Sequence, residues 1–138
     1  MRKRGRGRPG CRNAPVTQQL VDEFGKTLHM SLMTFDIGQG SFDAFRDLYQ
    51  TFWIIEDAAG ACSLANADTA EVSSALAVLE AIWVRCSPTG HWQLEDGERK
   101  ILAGACIAAQ DAMKKMKVLE LATSYHKFCA RQRVLANP

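Results

Sequence analysis

The sequence predicts an all-α protein: a compact bundle of four to five helices that follows a flexible, disordered basic N-terminal arm. Apolar residues recur at three- and four-residue spacing over most of the chain, which is the pattern of amphipathic helices. Short segments rich in glycine, serine or proline separate these stretches, and no alternating strand pattern stands out. The 138 residues, 47% of them hydrophobic, suffice for one domain with a buried core. We therefore divide the chain into a flexible arm, residues 1–14, and a single helical domain, residues 15–138.

The first helix is predicted over residues 16–34. Pro15 suits a first helical turn, where its missing N–H costs nothing. Gly25 should weaken this helix by about 1 kcal/mol relative to alanine. Its apolar stripe consists of residues spaced four apart: Val16, Leu20, Phe24, Leu28 and Leu32. The segment 36–40, with two glycines, ends it.

The second helix begins after Ser41, a residue type favoured as N-cap, with Asp43 in its first turn. It ends between Gly60 and Asn66. Its face is rich in aromatic residues, namely Phe42, Phe45, Tyr49, Phe52 and Trp53.

The third helix is expected to begin after Asp68, which we predict as its N-cap. Glu71, three positions later, completes a pattern like a capping box. The apolar stripe from Val72 to Cys86 is the cleanest in the chain, and residues 87–90, with a proline and a glycine, end it.

A fourth helix is predicted over residues 95–116, with many alanines on its inner face that allow close helix approach. A fifth segment, residues 117–135, repeats the apolar pattern. No proline or glycine separates the two, so the sequence leaves open whether they form one continuous helix.

The net charge of +2 conceals a strongly uneven distribution. Residues 1–12 carry six basic side chains and no acid, a net +6, and residues 113–138 carry a net +5. Residues 13–112 carry five basic and fourteen acidic side chains, a net −9. Such asymmetry indicates anionic partners for the ends, or an arm that folds back on the acidic middle of its own chain.

Residues 3–9 of the arm read Lys-Arg-Gly-Arg-Gly-Arg-Pro. The part Arg6-Gly7-Arg8-Pro9 resembles the core of an AT-hook, a short motif that lies extended along the minor groove of A/T-rich DNA. The resemblance implies that the glycine lets the backbone approach the groove floor and that both arginines enter its negative potential. An arm of this kind can equally lie on RNA.

Basic residues near the C-terminus could extend this contact along a helix face, or they could simply be solvated cations near a helix C-terminus. The predicted nucleic-acid-binding residues, from the arm and from this segment, are Arg2, Lys3, Arg4, Arg6, Arg8, Arg12, Lys114, Lys117, Lys127 and Arg131.

Three aromatic residues are candidates for a protein interface. Phe52 and Trp53 are consecutive, so they point in different directions, and we expect one of them to be exposed. Trp92 lies in a loop, where binding residues are common. The alternative for the aromatic residues is a place in the core.

The sequence favours no catalytic, cofactor-binding or metal-binding site. The three histidines lie in distant segments, and no pair has the spacing of helix-borne metal ligands. Five cysteines without a Cys-x-x-Cys pair indicate reduced thiols of a cytoplasmic protein. No signal peptide or apolar run of about 18 residues is apparent, so we expect no membrane contact.

The overall layout, a basic start before a compact helical domain, looks like small accessory proteins of prophages and plasmids. Together these features predict a non-enzymatic, DNA-associated accessory or regulatory protein that uses its arm. The alternative is an adaptor or inhibitor, encoded by a mobile element, that acts by protein–protein binding. A homo-oligomer is compatible with both.

Overall fold

The computed structural model describes residues 14–64 and 66–136, with side chains over residues 14–64 and 68–132. The predicted arm therefore lies almost wholly outside the described residues. The predicted all-α class is confirmed, because the described chain forms five helices: α1 (Gln18–Asp36), α2 (Phe42–Ala61), α3 (Asn66–Cys86), α4 (Asp96–Met113) and α5 (Val118–Ala136).

Helices α1 to α4 form a ring in which each packs against its two neighbours. Helix α2 also contacts α4 across the ring, and α5 packs on the outside of α2. Helix α2 therefore contacts all four other helices. The short loops make consecutive helices antiparallel, as the contact of Phe42 at the start of α2 with Trp83 near the end of α3 illustrates.

The core lies between the ring helices and is almost entirely apolar. Its largest fully buried side chains include those of Leu28, Leu48, Phe52, Ile55, Leu79, Ile82, Leu102 and Met113. Full burial of such a side chain contributes roughly 1.5–3 kcal/mol, so this face of each helix fixes the arrangement of the bundle.

Local capping interactions begin two of the helices, and the first of them was predicted. Ser41 caps α2, because its hydroxyl accepts a hydrogen bond from the backbone N–H of Ala44. Helix α4 begins with a capping box between Glu95 and Glu98.

The predicted N-cap of α3 is wrong. The helix begins at Asn66, which places Asp68 inside the first turn. The carboxylate of Asp68 accepts a hydrogen bond from Lys115 at 2.8 Å and so connects α3 with the turn after α4. The sequence pattern could not reveal this distant lysine.

The last two helical segments are separate helices. Residues 14–16 pair with residues 116–118 as an isolated antiparallel bridge between Pro15 and Lys117. The Val118 N–H donates to the carbonyl of Ala14 at 2.9 Å, and the Val16 N–H donates to that of Met116 at 3.1 Å. These bonds replace helical ones, so the chain breaks between α4 and α5. For the same reason Val16 lies before α1, which begins at Gln18 with Thr17 as its N-cap.

Candidate functional site

An aromatic groove runs over the N-terminal half of α2, between α3 and α5. Its floor comprises Phe42, Phe45, Tyr49 and Trp53, which lie on one face of α2 because their spacings of three and four residues match the helical repeat. We define the aromatic groove as this floor with two walls. The α3 wall consists of Glu80, Trp83 and Val84, and the α5 wall consists of Phe128, Arg131 and Gln132.

The groove encloses about 490 Å³, and its lining is mostly apolar. Its rings contact one another and a fourth segment, the loop between α3 and α4. The ring of Trp92 in this loop lies 5.1 Å from that of Phe45 and 6.0 Å from those of Phe42 and Trp83, between ring centroids. Distances of this size are typical of favourable aromatic pairs. The loop thus packs through Trp92 against the buried side of the rings at one end of the groove.

Two arginines border the groove. The guanidinium of Arg46 lies 5.9 Å from the ring centroid of Phe42 and also pairs with Asp43 at 3.3 Å. The guanidinium of Arg131 lies 5.2 Å from the ring centroid of Trp53, a cation–π distance. Among the described side chains, no carboxylate lies within ion-pair distance of Arg131. The groove can therefore accept apolar groups together with an anionic one.

The structure separates the three residues predicted as a protein interface. Phe52 is 0% exposed and belongs to the core, because it points from α2 into the ring of helices. Trp53, the next residue, points about 100° away and lies on the groove floor. Trp92 is half-buried behind the aromatic rings. Only Trp53 of the three thus lines the groove.

The predicted basic residues of α5 and of the turn before it do not form one patch. Lys127 and Arg131 lie on α5, about 15 and 21 Å along the helix from Lys117. Lys127 pairs with Asp57 at 3.2 Å, and Arg131 stacks on Trp53. These two residues are therefore engaged with the body of the protein.

Lysines between α4 and α5 lie instead beside the point where the arm joins the domain. We call Lys114, Lys115 and Lys117 the lysine turn. Lys117 forms the bridge with Pro15, and its side chain is exposed. Lys114 lies 3.8 Å from Asp111, and Lys115 lies 2.8 Å from Asp68, so nearby acids offset two of the three charges. The predicted arm residues Arg2, Lys3, Arg4, Arg6, Arg8 and Arg12 fall outside the described residues.

Metal-binding side chains do not cluster within the described part of the chain. No cluster of three or more histidine, cysteine or acidic side chains there could hold a metal ion. The thiol of Cys86 is buried and points towards the carbonyl of Gln93 at 3.7 Å. Burial raises the pKa of the Cys106 thiol to about 11, which keeps it protonated at neutral pH. No helix in the described ranges is long and apolar enough to cross a membrane.

Sequence reasoning missed two features of these surfaces. The predicted core stripe of α3 includes Trp83 and omits Val84, yet both side chains are exposed on the α3 wall. The signal was present, since two large apolar residues in succession cannot both face the core. Lys115 was not chosen either, and nothing local distinguishes it from its neighbours. No protein-family model, curated protein or solved structure matches this chain.

Proposed function

We propose that the chain is a non-enzymatic, DNA-associated accessory or regulatory protein that contacts DNA through its arm and the lysine turn. One observation carries the proposal. Residues 14–16 are hydrogen-bonded to residues 116–118, so the six basic residues of the arm join the domain beside the lysine turn. The two basic segments, which are about 100 residues apart in sequence, can therefore contact the same polyanion.

The reach of the arm fits a duplex. A peptide of 12 residues spans at most about 40 Å, which is longer than one turn of B-DNA. The arm supplies a charge of +6, whereas the lysine turn supplies mainly Lys117, because acids offset the other two lysines. Most of the counterion release on binding should thus come from the arm.

The resemblance of Arg6-Gly7-Arg8-Pro9 to an AT-hook supports minor-groove contact. Two arginines next to a glycine can enter a narrow groove, where the negative potential is concentrated. Gly10 and Cys11 follow where further basic residues are usual in that motif. We therefore expect a modest preference for A/T-rich over G/C-rich duplexes.

Fluorescence anisotropy with a labelled duplex of about 20 base pairs tests the proposal. The full chain is compared with the variant Arg6→Gln/Arg8→Gln and with Lys117→Gln, at several salt concentrations. Each lost phosphate contact should reduce the slope of log affinity against log salt by about 1. The matched control is Lys100→Gln, which removes an exposed lysine at the opposite end of α4.

Equal affinity for the full chain and the double arginine variant would contradict the proposal. So would an affinity that does not depend on salt. Tighter binding to a double-stranded or single-stranded RNA of the same length would reassign the arm to RNA, because the arginines would then act outside a DNA minor groove.

A further inference from the structure

The aromatic groove exposes apolar side chains on its floor and on its α3 wall. Phe42 and Trp83 are each 45% exposed and Val84 is 72% exposed, and the three lie beside the 490 Å³ groove. Contiguous apolar surface of this kind marks interaction sites on soluble proteins. Tryptophan, tyrosine and arginine, which line this groove, are also the residues most enriched among interface hot spots.

The outer face of α3 adjoins the groove and carries small residues. Those at spacings of three and four, all exposed, are Ala70, Ser74, Ala77, Ala81 and Val84. A helix surface without large side chains allows another helix to approach closely. The rim of the groove on this side is therefore a low ridge that ends in Val84 and Trp83.

The two walls of the groove carry opposite charges. Glu80 lies on the α3 wall and Arg131 on the α5 wall. Neither has an ion-pair partner among the described side chains, and the rings of the floor lie between them. A protein that docks here would gain by placing a cation at one wall and an anion at the other.

We propose that a second copy of this chain fills the groove, in a dimer with two-fold symmetry. The α3 ridge of each copy inserts into the groove of the other, between its α3 and α5. Glu80 then meets Arg131 of the partner subunit, and two-fold symmetry repeats this pair. Val84 and Trp83 become buried against the rings of the groove floor.

The same surface supplies everything that such a contact needs, which is why we favour a second copy over a different protein. It provides the ridge, the groove that receives it, and both charges of the pair. Closed two-fold dimers are the most common assemblies among soluble proteins. This inference does not depend on DNA binding, and either proposal can fail alone.

Sedimentation velocity of the full chain, after nuclease treatment and under reducing conditions, tests the dimer. We expect the sedimentation coefficient to rise with concentration in the range of about 1–200 μM. Val84→Asp places an unpaired carboxylate in the apolar contact. It should raise the dissociation constant of the dimer at least tenfold, as the loss of a hot-spot residue does. The matched control is Ile107→Asp on α4, which is 60% exposed and outside the groove, and should leave it unchanged.

Charge reversal makes the test specific for the predicted pair. Glu80→Arg and Arg131→Glu should each weaken the dimer by roughly tenfold, because like charges then face each other. The double variant restores the pair and should return the dissociation constant to within about threefold of the original. Circular dichroism and thermal unfolding of each variant show whether the monomer fold is preserved.

Three results would overturn the proposal. One is a monomer at every concentration, which would leave the groove to a different protein. Another is a dimer that Val84→Asp and Ile107→Asp weaken equally. The third is a double variant whose defect is the sum of the two single defects, since Glu80 and Arg131 would then not face each other.

Discussion

Gly40 lies where the loop between α1 and α2 passes under the backbone of the α3–α4 loop. A Cβ atom at this position would lie 2.1 Å from the carbonyl oxygen of Trp92 and 2.7 Å from a ring carbon of Phe35. A backbone carbonyl cannot move aside as the end of a flexible side chain can. This glycine therefore allows the loop that carries Trp92 to reach the aromatic groove.

Gly40→Ala should destabilise the protein by about 1–3 kcal/mol, the usual cost of overpacking. Urea unfolding followed by circular dichroism measures this change in the free energy of unfolding. The control is Gly97→Ala in the first turn of α4, where a Cβ meets no atom within 4 Å. That substitution should be neutral or should stabilise by up to about 1 kcal/mol. If Gly40→Ala and Gly97→Ala lose the same free energy of unfolding, the close approach at Gly40 does not destabilise the alanine variant.

The difference between Phe52 and Trp53 shows what single residues can reveal before a structure is known. Their succession on α2 predicts that they point in different directions. It does not reveal which of them faces the core, because that depends on how α1, α4 and α5 surround α2. The structure buries Phe52 and places Trp53 on the groove floor.

Helices were predictable where their signals are local, and unpredictable where a distant segment intervenes. Ser41 marks the start of α2, because its side chain caps the N–H of Ala44 only three residues later. This prediction is confirmed. The break between α4 and α5 has no local signal, since neither proline nor glycine occurs there. It depends on hydrogen bonds from residues 14–16, about 100 positions earlier. The start of α3 was also misplaced, since the helix begins at Asn66 and includes Asp68, whose carboxylate accepts a hydrogen bond from Lys115.

Removal of residues 1–16 should therefore destabilise the bundle, although most of that segment lies in the arm. A chain that begins at Thr17 loses two backbone hydrogen bonds and the buried side chain of Val16. We expect its free energy of unfolding to fall by about 2–4 kcal/mol. A chain that begins at Asn13 keeps these contacts and should unfold like the full chain. If both shortened chains lose the same stability, the loss comes from the arm and not from the bridge.

An ion pair between Arg85 and Glu98 connects α3 with α4. Arg85 donates two hydrogen bonds of 2.7 Å to the carboxylate of Glu98 and one of 2.7 Å to the carbonyl of Gln93. The hydrogen bonds from Arg85 lower the pKa of Glu98 below its ordinary value of 4.5, against the opposing effect of partial burial. A lowered pKa means that the folded state favours the charged carboxylate.

The sign of the pH dependence follows from this shift. Glu98 contributes its full stabilisation above about pH 4.5, and the contribution is lost as the pH falls through the lower pKa of the folded state. Glu98→Gln should cost about 1–2 kcal/mol at pH 7 and should make stability depend less steeply on pH below about pH 5. Urea unfolding at each pH measures both effects. Glu23→Gln, an exposed position on α1, serves as control. An unchanged slope for Glu98→Gln would contradict the assignment.

At the scale of the whole molecule, the candidate sites could be predicted only in part. The basic arm and the aromatic face of α2 were recognisable in the sequence, because each is a contiguous or regularly spaced set. The groove needs walls from α3 and α5, which lie about 30 and 80 residues further along the chain. Only the packing of both helices on α2 brings Glu80, Trp83 and Arg131 around the same floor.

The two proposals together predict how assembly affects DNA binding. A dimer carries two arms, and a duplex of about 30 base pairs offers room for both, whereas one of about 10 base pairs accommodates a single arm. Linked contacts raise the apparent affinity through effective concentration, often by a factor of about 10²–10⁴. Val84→Asp should therefore weaken binding to the long duplex at least tenfold and leave binding to the short duplex unchanged.

Anisotropy titrations with both duplexes, at protein concentrations where the original chain is dimeric, measure this difference. Ile107→Asp should behave like the original chain on both. If Val84→Asp weakens binding to both duplexes equally, Val84 affects the DNA contact itself, and the groove is part of the DNA-binding surface. If Val84→Asp abolishes the dimer but weakens binding to neither duplex, each arm binds DNA independently. Two arms that bound the same duplex would lose affinity when the dimer separates.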